Sequence, residues 1–111
     1  MCGIIGIVGK SSVQPSIFGA LEKLEYRGYD SSGIATISDN SIVRRRAVGK
    51  LSNLKELLSK KPVNGEIGIG HTRWATHGVP SEANAPPHRS QNLALVHNGI
   101  IENYQALKVK L

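Results

Sequence analysis

Apolar residues recur along this chain with two different periods, and the changes from one to the other mark out its elements. Gly3 to Gly9 (GIIGIVG) is an unbroken, β-branched, glycine-interrupted run that predicts a buried strand. From Val13 to Tyr26 the residues Ile17, Ala20, Leu21 and Leu24 fall at i, i+3, i+4 and i+7, one face of an amphipathic helix. Pro15 fits in its first turn, where a missing N–H leaves no bond unmade. Tyr26 to Gly33 (YRGYDSSG) reads as a polar loop. Ile34–Ser38 and Ile42–Val48 read as two strands of a hairpin turning across Asp39-Asn40-Ser41. Leu51, Leu54, Leu57 and Leu58 predict a second helix over Leu51–Lys60, stopped by Pro62. Glu66–Gly70 (EIGIG) alternates glycine with isoleucine, as in a strand packed closely on a neighbouring backbone. A long polar loop, His71–Asn92, precedes a strand at Leu93–Val96 and a terminal helix at Asn103–Leu111, with Leu107 and Leu111 four apart on one face. The expected order is β-α-β-β-α-β-loop-β-α, an α/β fold.

Composition narrows the class. With 111 residues the chain is one small domain, able to bury about two-thirds of its extended surface. The last residues are still in helical pattern, which suggests the front part of a longer protein. The single cysteine excludes an intrachain disulfide and fits a reducing cytoplasmic setting. No apolar stretch approaches a membrane span, and the run behind Met1 is too short for a signal peptide. The net charge of +6 would attract anions, but the only basic cluster, Arg44-Arg45-Arg46, lies in an expected strand. Successive strand residues face opposite sides, so the three cannot form one patch, and nucleic-acid binding is not expected. The four histidines, His71, His77, His88 and His97, match no zinc spacing. No metal or other cofactor is expected, and His71 and His97 read as hydrogen-bonded structural residues at strand ends.

The lone cysteine is residue 2. Cys is small enough for the initiator Met to be removed, which would leave a thiol and a free α-amine on one Cα. The amine titrates near ~7.7–8.0 and the thiol near ~8.5, so the amine can take the thiol proton near neutral pH. A thiolate that attacks an amide also needs oxyanion donors, a clamp for the substrate's charge and exclusion of water. Asn98-Gly99 suits the first need: Asn offers an NH₂, and Gly lets a backbone N–H approach closely. Arg73 suits the second, because a guanidinium matches a carboxylate with two parallel bonds. The loop around Trp74 suits the third. Arg27 and Asp30 read as an internal ion pair organising their loop in preference to active-site contacts.

Five segments, MCGIIGIVG, LEYRGYDSSG, GHTRWATHG, NAPPH and VHNGIIENY, occur in order between Met1 and Tyr104. Together they resemble the glutaminase domain of the glutamine–fructose-6-phosphate aminotransferase (isomerizing) family, class II glutamine amidotransferases with the N-terminal nucleophile (Ntn) hydrolase fold. The resemblance implies the first part of a four-layer αββα sandwich. It implies that Cys2 attacks the side-chain amide of glutamine through a γ-glutamyl thioester, with Asn98 and Gly99 as oxyanion donors. It assigns substrate binding to Arg73, Trp74, Thr76 and His77, with Trp74 also gating ammonia. It implies that residues 1–111 are the truncated start of that domain. The sugar-isomerase domains, which take fructose 6-phosphate to glucosamine 6-phosphate in a homodimeric parent, would lie beyond. The family usually has His-Pro-His where this chain has Pro86-Pro87-His88. A competing expectation is non-enzymatic: an inert truncated product, or a basic interaction module.

Overall fold

The computed structural model describes residues 2–74, 83–99 and 101–111, apart from the side chain of Arg27. Among the described residues ten elements follow one another: β1 (Gly3–Val8), α1 (Gln14–Leu24), a 3₁₀ turn (Glu25–Arg27), β2 (Ser31–Ser38), β3 (Ser41–Val48), α2 (Leu51–Lys60), β4 (Ile67–Arg73), β5 (His88–Ser90), β6 (Leu93–Leu95) and α3 (Tyr104–Lys110). Four strands form an antiparallel sheet in the order β1-β4-β2-β3, and β5-β6 form a second, two-stranded sheet. With helices on one face of the larger sheet, this is the mixed α/β architecture expected of an Ntn-type fold.

Helices α1 and α2 cover one face of that sheet. Their leucine and isoleucine stripes build the core: Val13, Ile17 and Leu21 from α1 and its start, Leu51, Leu54 and Leu58 from α2, with Ile34 from β2 and Val63. Gly68 and Gly70 of β4 lie beneath α1. A Cβ at Gly70 would come within 2.6 Å of Ile17 Cγ2, and one at Gly68 within 2.7 Å of Ile17 Cδ1. The alternating glycines of EIGIG therefore make room for helix side chains, where the sequence suggested a neighbouring backbone. The first N–H of α2 has no intrahelical acceptor; Leu51 donates it to the Tyr29 hydroxyl at 2.8 Å.

Several boundaries differ from expectation. The β2–β3 hairpin turns on two residues, Asp39 and Asn40, both left-handed at φ 52° and 61°. That is the two-residue geometry whose twist matches the flanking strands, and Ser41 is already paired with Ser38. Strand β2 begins at Ser31, inside the expected YRGYDSSG loop, and β4 runs on to Arg73, inside the expected His71–Asn92 loop. Polar residues occupy both extensions because the two segments pair with each other, Ser31 with Arg73 and Ser32 with Thr72. Pairing satisfies their backbone groups although the side chains carry no strand pattern. Strand β5, also within that loop, was not expected. Helix α3 forms, but none of its residues is buried, so Leu107 and Leu111 do not pack on the described core.

The basic run in β3 alternates as expected. Arg45 faces the helix side and donates to the Lys61 carbonyl at 2.9 Å. Arg44 and Arg46 face the other side. They hold the backbone of the 83–87 segment, Arg44 through Pro87 O at 3.2 Å and Arg46 through Ala83 O at 3.3 Å and Ala85 O at 3.4 Å. The Pro86-Pro87 unit thereby lies on Gly33, where a Cβ would collide with Pro86 O and meet Pro87 Cδ at 2.8 Å.

Adding one methyl beneath α1 tests this packing. Gly70→Ala should lower the urea midpoint, since overpacking a filled core costs about 1–3 kcal/mol against the roughly 0.5–1 kcal/mol that alanine gains over glycine in a strand. An unchanged or higher midpoint would show that Ile17 moves aside freely.

Candidate functional site

Three polar segments converge at one end of the large sheet. The β1–β4 ladder begins at Gly3 opposite Thr72, which leaves Cys2 one step beyond, opposite Arg73. Side chains alternate between faces. Gly3 and Thr72 point to the helix side, so Cys2 and Arg73 share the opposite face with His71 and Ser31. Gly3 sits tightly: its N–H donates to Thr72 Oγ1 at 3.1 Å in a buried contact, and a Cβ there would come within 2.7 Å of Leu24 and 2.8 Å of that same oxygen. The residue after Cys2 is a glycine because helix and strand close over it.

Cys2 is half-buried. Its Sγ accepts the Trp74 backbone N–H at 3.5 Å and lies 3.9 Å from the Trp74 carbonyl. Trp74 was expected as part of a lid and of the substrate site; the structure adds a main-chain contact to the sulfur. The indole is half-exposed and lies over Gly28, where a Cβ would touch ring atoms at 3.2 and 3.3 Å. Gly28 has φ 79° and ends the 3₁₀ turn, so the YRGYD segment provides the seat for Trp74. No sequence signal pointed to that pairing.

Asn98, 96 residues away in sequence, donates Nδ2–H to the Cys2 carbonyl at 3.4 Å. An asparagine amide has two donors, so one remains for a ligand while the other holds the chain start. Gly99 adopts φ 154° and a Cβ on it would press on the His97 ring at 3.2 Å, two reasons for glycine there. Asn98 and Gly99 are exposed and can meet a ligand from solvent. Arg73 closes β4; its carbonyl accepts the Asp30 N–H at 2.6 Å, tying the YRGYD segment to the strand that pairs beside Cys2. The structure thus brings together Cys2, Arg73, Trp74, Asn98 and Gly99. Thr76 and His77 lie outside the described residues, as does the Arg27 side chain, so the expected Arg27–Asp30 pair is not addressed.

His71 departs from its expected place. It stands inside β4, fully buried, because β4 extends past Gly70. Its Nε2 lies 3.3 Å from the His97 carbonyl, and its Nδ1 has no partner among the described residues. Burial pushes its pKa down from 6.5 to about 4, an effect the His97 carbonyl opposes and the nearby His88, Arg73 and His97 reinforce. The ring is therefore neutral near pH 7, and the free Nδ1 assigns the proton to Nε2, which donates. Among the described residues no group of His, Cys, Asp and Glu is arranged to hold a metal ion.

The histidine has a consequence for stability. Unfolded, His71 binds a proton below about 6.5; folded, it does so only below about 4. Between those values the unfolded chain holds more protons, so stability falls as pH falls through the window. The melting temperature should drop more steeply from pH 7 to pH 4.5 in the wild type than in His71→Gln, which carries no titrating ring. Parallel curves would contradict this.

No protein-family model matches the chain. Curated relatives match over its whole length. A glutamine–fructose-6-phosphate aminotransferase [isomerizing] of Mesorhizobium japonicum is 62% identical over 111 residues, that of Brucella suis 60% and that of Agrobacterium fabrum 59%. The chain spans 18% of the length of each of these relatives. Among solved structures, the glutamine phosphoribosylpyrophosphate amidotransferase of B. subtilis superposes with a TM-score of 0.80 at 28% identity, over 99% of this chain and 24% of that one. No helix among the described residues is long and apolar enough to cross a membrane. Along its entire length, then, the chain is similar in sequence to the N-terminal part of the glutamine–fructose-6-phosphate aminotransferases and shares its fold with an Ntn-type glutamine amidotransferase.

Proposed function

We propose that this chain carries the glutamine-splitting site of a glutamine–fructose-6-phosphate aminotransferase, with Cys2 as the nucleophile once Met1 is removed. The observation that carries the reading is the meeting of the chain start with the Asn98-Gly99 turn: Asn98 Nδ2 stands 3.4 Å from the Cys2 carbonyl while the sulfur accepts the Trp74 N–H at 3.5 Å. A reactive thiol, its own amine and two oxyanion donors would then occupy one exposed corner.

The freed α-amine takes the thiol proton as Sγ attacks the δ-carbon of glutamine. The carbonyl oxygen becomes an oxyanion held by Asn98 Nδ2–H and the Gly99 N–H. As the tetrahedral adduct collapses, the C–N bond breaks and the ammonium proton passes to the leaving nitrogen, releasing ammonia and leaving a γ-glutamyl thioester. Water, deprotonated by the same amine, attacks the thioester; Sγ leaves and glutamate is released. Arg73 pairs with the glutamine α-carboxylate, Thr76 and His77 hold its backbone, and the Trp74 ring covers the site and gates the exit of ammonia. In the whole protein that ammonia would convert fructose 6-phosphate to glucosamine 6-phosphate, in segments beyond residue 111 and in a homodimer working in the cytoplasm. No cofactor is required for the glutaminase half, and no nucleic acid or membrane takes part.

Cys2→Ala in the full-length protein should abolish glutamine hydrolysis, with sugar-phosphate isomerisation retained; substantial glutamine hydrolysis by that variant would refute the assignment. The base is blocked if Met1 stays in peptide linkage. Intact-mass measurement of active protein should therefore give a chain starting at Cys2, and full activity with Met1 still attached would count against the amine as base.

A further inference from the structure

Building on the proposed glutaminase site, we infer that His71 is a positioning residue for it: from inside β4, its imidazole N–H holds the His97 carbonyl and so sets the height of the Asn98-Gly99 turn over Cys2.

The geometry isolates this one link. Among the described residues, strand β6 ends at Leu95, so Val96 and His97 leave the two-stranded sheet with no ladder to fix them. His97, Asn98 and Gly99 are all exposed. Among the described residues, two hydrogen bonds tie this stretch to the large sheet: the Asn98 amide on the Cys2 carbonyl and the His71 ring on the His97 carbonyl at 3.3 Å. The first of these is an exposed contact of 3.4 Å, so it cannot by itself define where the turn stands. The second comes from a side chain enclosed within the sheet. His71 is fully buried, paired in register with Ile4 of β1 on one side and Gly33 of β2 on the other. Its anchor point lies two residues along β4 from Arg73 and on the same face, so one rigid strand would set both the carboxylate clamp and the oxyanion turn. A buried imidazole with one nitrogen unpartnered is costly by itself. It is intelligible where the other nitrogen has a task that an apolar residue cannot perform.

An oxyanion donor matters only as charge develops on the substrate oxygen, so misplacing the turn should lower kcat and leave glutamine binding nearly unchanged. The full-length protein would be compared as wild type, His71→Gln, His71→Asn and Cys2→Ala. Gln places an N–H near the Nε2 position and can reach the His97 carbonyl; Asn places one near Nδ1 and cannot. His71→Asn should lose about 10- to 100-fold in kcat, below the cost of deleting an oxyanion donor outright, with KM for glutamine within about twofold. His71→Gln should recover most of that loss. Equal kcat in the Gln and Asn variants, or a lower kcat accompanied by a raised KM and a lower melting temperature, would overturn the inference and mark His71 as merely structural. Should the Asn variant not fold, the Gln variant decides, since loss of its activity in folded protein overturns the positioning role. Glutamine hydrolysis surviving in Cys2→Ala would instead sink the underlying glutaminase reading, so the two failures are distinct.

Discussion

The pairing of β1 with β4 is the interaction on which this structure depends. It is antiparallel and in register from Gly3–Thr72 to Val8–Ile67, and it joins the first residues of the chain to a segment some seventy positions later. A chain terminus is ordinarily frayed. Here the ladder, the buried bond from Gly3 to Thr72 Oγ1 and the packing of Leu24 over Gly3 hold it. A shift of one residue would turn Cys2 toward the helices and bring Ile4 against α1, so the apolar side of the sheet and the reactive corner are specified together.

The two faces of that sheet do different work. One is filled by α1 and α2, and its glycines at 68 and 70 admit Ile17. The other carries the reactive corner at one end and, at the other end, an apolar cavity of about 230 Å³ beneath the β5–β6 hairpin, lined in part by Ala35, Ile37, Ile67, Ile69 and Leu93. Ile67 is six residues from Arg73 along β4, roughly 20 Å at strand rise, so the cavity belongs to sheet-on-sheet packing and not to the chemistry. Between the two ends, Arg44 and Arg46 grip the carbonyls of the Pro86-Pro87 segment. Three consecutive arginines that look like an anion-binding run thus spend part of their donor capacity on backbone.

Much of this was legible in the residues. The helical stripes of α1 and α2 reported their own burial, because side-chain period and core contact are the same fact seen twice. The Asp39-Asn40 turn declared itself through residues that tolerate left-handed backbone. Cys2, Arg73, Asn98 and Gly99 stood out because thiol, guanidinium, amide and glycine each suit one requirement of acyl transfer. The misjudged stretches, Ser31–Gly33 and His71–Arg73, share a cause. Their strand character comes from pairing with each other, and no periodicity inside either one reveals a partner some forty residues away.

The sequence by itself determined which chemical groups are available: a thiol beside the chain start, a side-chain amide next to a glycine, and a guanidinium. It also determined which faces the helices bury, since both follow from residue type and local spacing. Only the tertiary structure decided that these groups meet, that Trp74 touches the sulfur through its backbone and rests on Gly28, and that His71 is a buried, neutral donor instead of a residue at a strand end. Those facts depend on register and on contacts between distant segments, where the energy of pairing two polar strands outweighs the local preferences of either.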